Sequence, residues 1–174
     1  MITVEPWMIL RCPGLSVFIY AMPKGGDYKK WPFEILEKIL KKQVEVKSNS
    51  SGKPCLPHGL GYVNWSNSKG ECILAYSKEC EVGIDLEFHR ERNFEAISKR
   101  FFAGNEITSE AETFYSLWTK KEAYYKCMGG EFFATLKNNL YTNAKIWHLQ
   151  GPYKEKHDVA ICISYGARRP PLQA

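Results

Sequence analysis

Apolar and polar positions alternate strictly over residues 82–88. Val82, Ile84, Leu86 and Phe88 fall on one face of an extended strand, and Gly83, Asp85 and Glu87 fall on the other. Two earlier runs, Leu60–Trp65 and Cys72–Tyr76, are also strand-like and are separated by the turn chemistry of Asn67-Ser68-Lys69-Gly70. The three together predict an antiparallel meander. Leu15–Tyr20 predicts a further strand near the start, and Ala144–Leu149 and Val159–Tyr165 predict two late ones. Helical spacing appears in three places. Phe33, Leu36, Ile39 and Leu40 mark a helix over Trp31–Gln43, with Pro32 tolerated in its first turn. Phe94–Phe102 forms a second helix, capped by Asn93. Ser109–Met128 forms the longest, with Gly129-Gly130 as its stop. Strands and helices mixed in this order predict an α+β fold. The polar, proline-bearing stretch Lys47–Pro57 reads as a loop, which predicts a short N-terminal lobe over residues 1–57 and a C-terminal lobe over 58–174.

Composition narrows the class. A chain of 174 residues with 44% hydrophobic and 25% charged residues can bury a real core without staples. The apolar stretches are strand-length, so no membrane span and no export signal are expected, and the location expected is the cytoplasm. Six cysteines lack C-x-x-C pairing and read as reduced, partly buried thiols; with no Cys/His cluster, a zinc site is not expected. The net charge of +5 comes from scattered lysines and arginines, which suits an anionic substrate or acidic protein better than nucleic acid.

The candidate chemistry lies on two elements. Asp85 and Glu87 share one face of their strand. On the long helix Trp118, Glu122 and Lys126 lie on one row, four residues apart. Each feature alone fits a plainer role: a polar strand face turned to solvent, or an exposed Glu–Lys pair beside a packed tryptophan. Brought together by the fold, three carboxylates and one ammonium would suit Mg²⁺ and a diphosphate. Lys53, in Gly52-Lys53-Pro54, and the Asn64-Trp65-Ser66-Asn67-Ser68 strand end could donate to phosphate. They also read as an ordinary loop lysine and hairpin-turn residues. The aromatic residues Phe114, Tyr115, Tyr124 and Tyr125 read as core and lobe-interface packing.

The order of these pieces resembles a known family. Gly-Lys-Pro, Asn-x-Ser-x-Ser, Val-Gly-Ile-Asp-Leu-Glu, Arg-Phe-Phe-x-x-x-Glu and Trp-x-x-Lys-Glu-Ala-x-x-Lys follow one another between Gly52 and Gly129. They resemble the 4′-phosphopantetheinyl transferase superfamily, in its surfactin-synthetase-activating type. The Gly-Ile-Asp-Leu-Glu and Trp-x-x-Lys-Glu-Ala-x-x-Lys pair is the specific part.

The resemblance implies two similar lobes in a pseudo-twofold arrangement, each a small antiparallel sheet packed with helices. It implies a monomer that transfers 4′-phosphopantetheine from CoA to a serine of an apo acyl or peptidyl carrier protein, with Mg²⁺, releasing 3′,5′-ADP. Such carriers serve fatty-acid, polyketide and nonribosomal-peptide synthesis. By matching position, Asp85, Glu87 and Glu122 would hold the metal. Glu122 would also take the serine proton, Lys126 would hold the reacting phosphate, and Lys53, Ser66 and Asn67 would join Lys126 in binding CoA. Asn67 stands where the family usually has histidine, and Lys29 and Lys30 are the candidates for the CoA 3′-phosphate. The alternative is a non-catalytic homologue that binds CoA or a carrier. A cation-dependent phosphohydrolase is a further rival.

Overall fold

Two antiparallel sheets meet edge to edge beside the alternating strand, and that seam sets the position of the site. The computed structural model describes residues 5–129, 131–137, 144–153 and 156–164. The chain opens with a hairpin, β1 (Met8–Cys12) and β2 (Leu15–Ala21), followed by helix α1 (Trp31–Leu40). A two-residue pair, β3 (Lys47–Ser48) and β4 (Pro54–Cys55), closes the polar loop. Then come β5 (Tyr62–Ser68), β6 (Glu71–Ser77) and β7 (Glu81–Phe88). Helices α2 (Phe94–Phe101), α3 (Ala111–Met128) and α4 (Phe132–Lys137) follow, and strands β8 (Ala144–Leu149) and β9 (His157–Ser164) end the described chain.

The first sheet has the order β1-β2-β6-β5 and the second β7-β9-β8. The expected α+β class, small antiparallel sheets packed with helices, is the class observed. The three-strand meander is corrected. β5 and β6 do form a hairpin, closed by Lys69 and Gly70, whose φ angles of 49° and 81° suit a two-residue turn that needs positive φ at both positions. β7, however, leaves for the second sheet and pairs with β9. The first sheet draws strands from both sides of residue 57, where loop composition predicts the boundary between two lobes. β1 and β2 pair through β6 with β5. The last strand of the first sheet ends at Ser77 and the first of the second sheet begins at Glu81. The end of the predicted strand at Tyr165 and Gly130 of the predicted helix stop lie outside the described residues.

Four layers result. Buried residues of α1 (Trp31, Ile35, Leu36) pack on one face of the first sheet with Tyr20, Val63 and Leu74. The opposite face, with Val17, Ile19, Ile73 and Ala75, meets Val82, Ile84, Leu86, Val159, Ile161 and Ile163 of the second sheet. The far face of the second sheet carries Ala160 and Cys162 against Ala123, Tyr124 and Cys127 of α3. Both faces of β7 are therefore covered. Asp85 is only 2% exposed, so the carboxylates point into the α3 layer and not, as the alternation alone suggested, out of the core to solvent. α3 can lie this close because of Gly83. A Cβ there would come within 2.2 Å of the Ala123 carbonyl oxygen and 2.4 Å of the Cys127 nitrogen.

Candidate active site

β5 and β7 are the facing edges of the two sheets, and side chains join them where a backbone ladder would otherwise run. Asn64, Ser66 and Ser68 lie on one face of β5. The Asn64 Oδ1 accepts from the Ile84 backbone N–H at 3.1 Å. The Ser66 hydroxyl donates to Asp85 Oδ1 at 2.8 Å, and the Ser68 hydroxyl to Glu87 Oε2 at 3.3 Å. Ser68 Oγ also accepts from the Phe88 N–H at 3.3 Å. The residue numbers climb together on both strands, so the contacts repeat in step.

From the other side α3 delivers Glu122 and Lys126. The Lys126 Nζ donates to Asp85 Oδ1 at 2.6 Å and to Ser66 Oγ at 3.0 Å, and stands 3.8 Å from Glu122 Oε2. The structure thus brings Asp85, Ser66, Glu122 and Lys126 together, with Glu87 one step along the same strand face. The exposed Glu–Lys pair is replaced by a half-buried pair whose side chains are 20% and 23% exposed.

The electrostatics follow from crowding. Burial, then the charges of Asp85 and Glu87, push the Glu122 carboxyl up to about 7, although Lys126 pulls it down. Glu87 is raised by burial and by Asp85, against Arg92, Arg90 and the Ser68 hydroxyl, which lower it. For Lys126 burial favours the neutral form, but Asp85 and Glu122 outweigh it and the ammonium is held above its ordinary range.

Among the described residues, no three His, Cys, Asp or Glu side chains already enclose a space for a metal ion. The Lys126 ammonium rests against Asp85. The donors nonetheless suit a hard divalent cation. Asp85 Oδ2 is buried with no hydrogen-bond partner, and three acidic side chains repel one another across a corner that offers oxygen ligands. Asp85, Glu87 and Glu122 are the residues that would hold such an ion.

Two sequence-expected CoA contacts lie elsewhere. Lys53 is not a loop lysine open to phosphate. Its Nζ is buried against Glu81 Oε2 at 2.6 Å and the Cys127 carbonyl at 2.7 Å. Asn67 is exposed and, by strand alternation, faces away from Ser66. Two features escaped the sequence reading. Lys121 and Glu106 form a buried ion pair at 2.7 Å, which joins the Arg-Phe-Phe-x-x-x-Glu stretch to the residue before Glu122. Asp158, the cross-strand partner of Glu87, holds both His89 and His148, and His89 stacks on Tyr115. An acidic residue four places after a Phe-Phe pair is the only signal for the first. Nothing in the sequence marks the second.

Of the aromatic residues expected to pack, Tyr124 is buried and Tyr125 is half-buried against Phe132. Phe114 and Tyr115 are fully buried, and Trp118 lies among Phe101, Phe102, Phe114 and Phe132. No disulfide joins any of the six cysteines, five of which are buried.

Comparison with known proteins reaches the same stretch. Residues 81–165, from the first residue of β7 to just past β9, match the 4′-phosphopantetheinyl transferase superfamily. The chain is 27% identical over 154 residues to the 4′-phosphopantetheinyl transferase AcpT of Escherichia coli strain K12, covering 80% of this chain and 77% of that protein. It is 33% identical to AcpT of Salmonella typhi over 127 residues, 66% of each. It is 31% identical to the 4′-phosphopantetheinyl transferase Sfp of Bacillus subtilis over 98 residues, 51% of this chain and 43% of that one. The matched segment holds the acidic strand and the Lys-Glu-Ala helix whose side chains meet here, and this chain belongs to the 4′-phosphopantetheinyl transferase superfamily.

Proposed function

We propose that this chain, acting as a cytoplasmic monomer, transfers 4′-phosphopantetheine from CoA to a serine hydroxyl of an apo acyl or peptidyl carrier protein with Mg²⁺ as cofactor. The serine oxygen forms a bond to the pantetheine-bearing phosphorus, the P–O bond to the nucleotide breaks, and 3′,5′-ADP leaves. The family supports the activity. The observation that carries the finer reading is the meeting of Asp85, Glu122 and Lys126, with one oxygen of Asp85 buried and unpartnered.

Each side chain has a task in this reading. Lys126 leaves its contact with Asp85 for the diphosphate and neutralises the charge that grows on the departing oxygen. Glu122 accepts the serine proton, directly or through one water. Ser66 and Ser68 hold the β7 carboxylates in their rotamers. Asp85, Glu87 and Glu122 hold the cation, which when bound supplies charge neutralisation and polarises a phosphoryl oxygen. Positioning and charge complementarity carry most of the acceleration.

The deciding experiment is intact-mass spectrometry of several apo carriers incubated with the protein, CoA and Mg²⁺. A phosphopantetheine mass increment on the carrier serine, lost with EDTA, is expected. CoA binding with no increment on any carrier would favour the non-catalytic homologue. Phosphate release from CoA without a carrier would favour hydrolysis.

A further inference from the structure

We propose that Lys53 is a positioning residue for the transfer reaction: its ammonium, clamped between Glu81 at the start of β7 and the Cys127 carbonyl at the end of α3, fixes the helical turn that carries Lys126. The inference rests on the reading of the site given above and adds a residue that touches neither substrate nor reacting atoms.

The lysine starts from a rigid root. Asn49 Oδ1 accepts from the backbone N–H groups of Ser51 and Lys53 at 3.0 and 2.9 Å, Gly52 N donates to the Asn49 carbonyl, and Asn49 N donates to the Lys53 carbonyl. The polar run that reads as a plain loop is thus a closed turn set between β3 and β4. From it the side chain reaches partners 28 and 74 residues away in sequence, and both charged side chains of the ion pair are 6% exposed.

The Cys127 carbonyl lies in the last turn of α3, where carbonyls commonly take partners from outside the helix. A cation at that end also suits the helix dipole. Cys127 follows Lys126 directly, and Gly83 leaves no slack between this turn and β7, so a tether on the Cys127 carbonyl sets the rotation of the turn. That rotation decides where Lys126 and, one turn earlier, Glu122 point. A purely structural reading is weaker, because a buried ion pair replaced by apolar residues of similar volume is often neutral for stability.

Three variants separate position from stability: Lys53→Met, Lys53→Met with Glu81→Leu, and Glu81→Gln. The readouts are thermal melts, amide hydrogen exchange over residues 123–129, and kcat and KM for CoA with an apo carrier. The single Lys53→Met, which takes the ammonium away from the buried Glu81 carboxylate, is expected to melt lower. The double variant is expected to recover the melting temperature, yet exchange the α3 C-terminal amides on the order of tenfold faster. It should also turn over on the order of ten- to a hundredfold slower, with KM nearly unchanged. Glu81→Gln leaves Lys53 on the carbonyl and should keep kcat within a few-fold of wild type.

Wild-type exchange and kcat in the stable double variant would overturn the proposal. If the double variant does not fold, an equal loss of kcat in Glu81→Gln and Lys53→Met would overturn it. If the wild type modifies no carrier, the transfer reading fails by itself, and the exchange data still decide whether Lys53 holds the turn.

Discussion

Glu122 shares a half-dry corner with Asp85 and Glu87, and its carboxyl is raised from 4.5 to about 7 by burial first and by those charges second. The unfolded chain releases this proton near its ordinary pKa, whereas the folded chain keeps it until about pH 7. Between the two values the folded state binds more protons, so stability is full below the unfolded pKa and falls as pH rises through the folded one. Metal-free protein should therefore lose up to about 3 kcal/mol between pH 4.5 and neutrality, and Glu122→Gln should flatten that decline in denaturant titrations. The same variant should cut single-turnover transfer by on the order of a hundredfold or more, since the amide keeps the shape but loses charge and basicity. Full-speed transfer by Glu122→Gln would remove Glu122 from the reaction.

Asp85 behaves differently because it anchors two partners. Asp85→Ala strands Ser66 and Lys126 in a buried place and should cost about 2–3 kcal/mol in a thermal or urea melt, while Asp85→Asn should cost less and still abolish transfer. The period-2 and period-4 spacings made Asp85, Glu87, Glu122 and Lys126 legible in the sequence. The burial of Asp85 was not, because alternation says which residues share a face but not whether a helix covers it.

At the level of elements, sequence and structure agree where a local signal exists. Asn93 accepts from the Ala96 N–H at 3.0 Å as a cap should, and Lys69-Gly70 closes its hairpin. β1 is not legible in the sequence: Met8, Leu10 and Cys12 are half-buried and Ile9 and Arg11 exposed, but an apolar Ile9 on the outer face hides the alternation. Nor is the pairing of β7 with β9, since partners so far apart in sequence leave no local trace. Lys53 was illegible for the same reason.

The contact between β7 and α3 gives the sharpest element-level expectation. Gly83→Ala pushes a methyl into backbone that cannot yield like a side-chain tip, so α3 must shift. A loss of about 1–3 kcal/mol is expected by denaturant titration, together with a fall in kcat, because Glu122 and Lys126 ride on the displaced helix. A neutral melt would mean that the α3 packing has slack.

For the molecule as a whole, the seam between the sheets, crossed by carboxylate, hydroxyl and ammonium groups, is where ligand binding and folding are linked. A divalent cation that binds only the folded chain should stabilise it with the logarithm of its concentration, by about 2.7 kcal/mol at a hundredfold excess over Kd, and raise the melting temperature accordingly. Thermal melts across a Mg²⁺ series check this. Wild type should rise and then fall back with EDTA, while Glu122→Gln and Asp85→Asn should stay flat. A flat wild type would mean that the three carboxylates do not form a cation site without substrate.

The seam also bears on solubility. β5 and β7 are both outermost strands, and an outermost strand with free amides invites a strand from another molecule. Here Asn64 Oδ1 occupies the Ile84 amide and Ser68 Oγ the Phe88 amide, so this border of β7 is plugged by its own neighbour at two points. The residues that steady the carboxylates thus double as guards against intermolecular strand addition. Replacing Asn64 by Leu and Ser68 by Ala together should increase light scattering during refolding at high protein concentration, even under conditions where the folded variant still melts cooperatively.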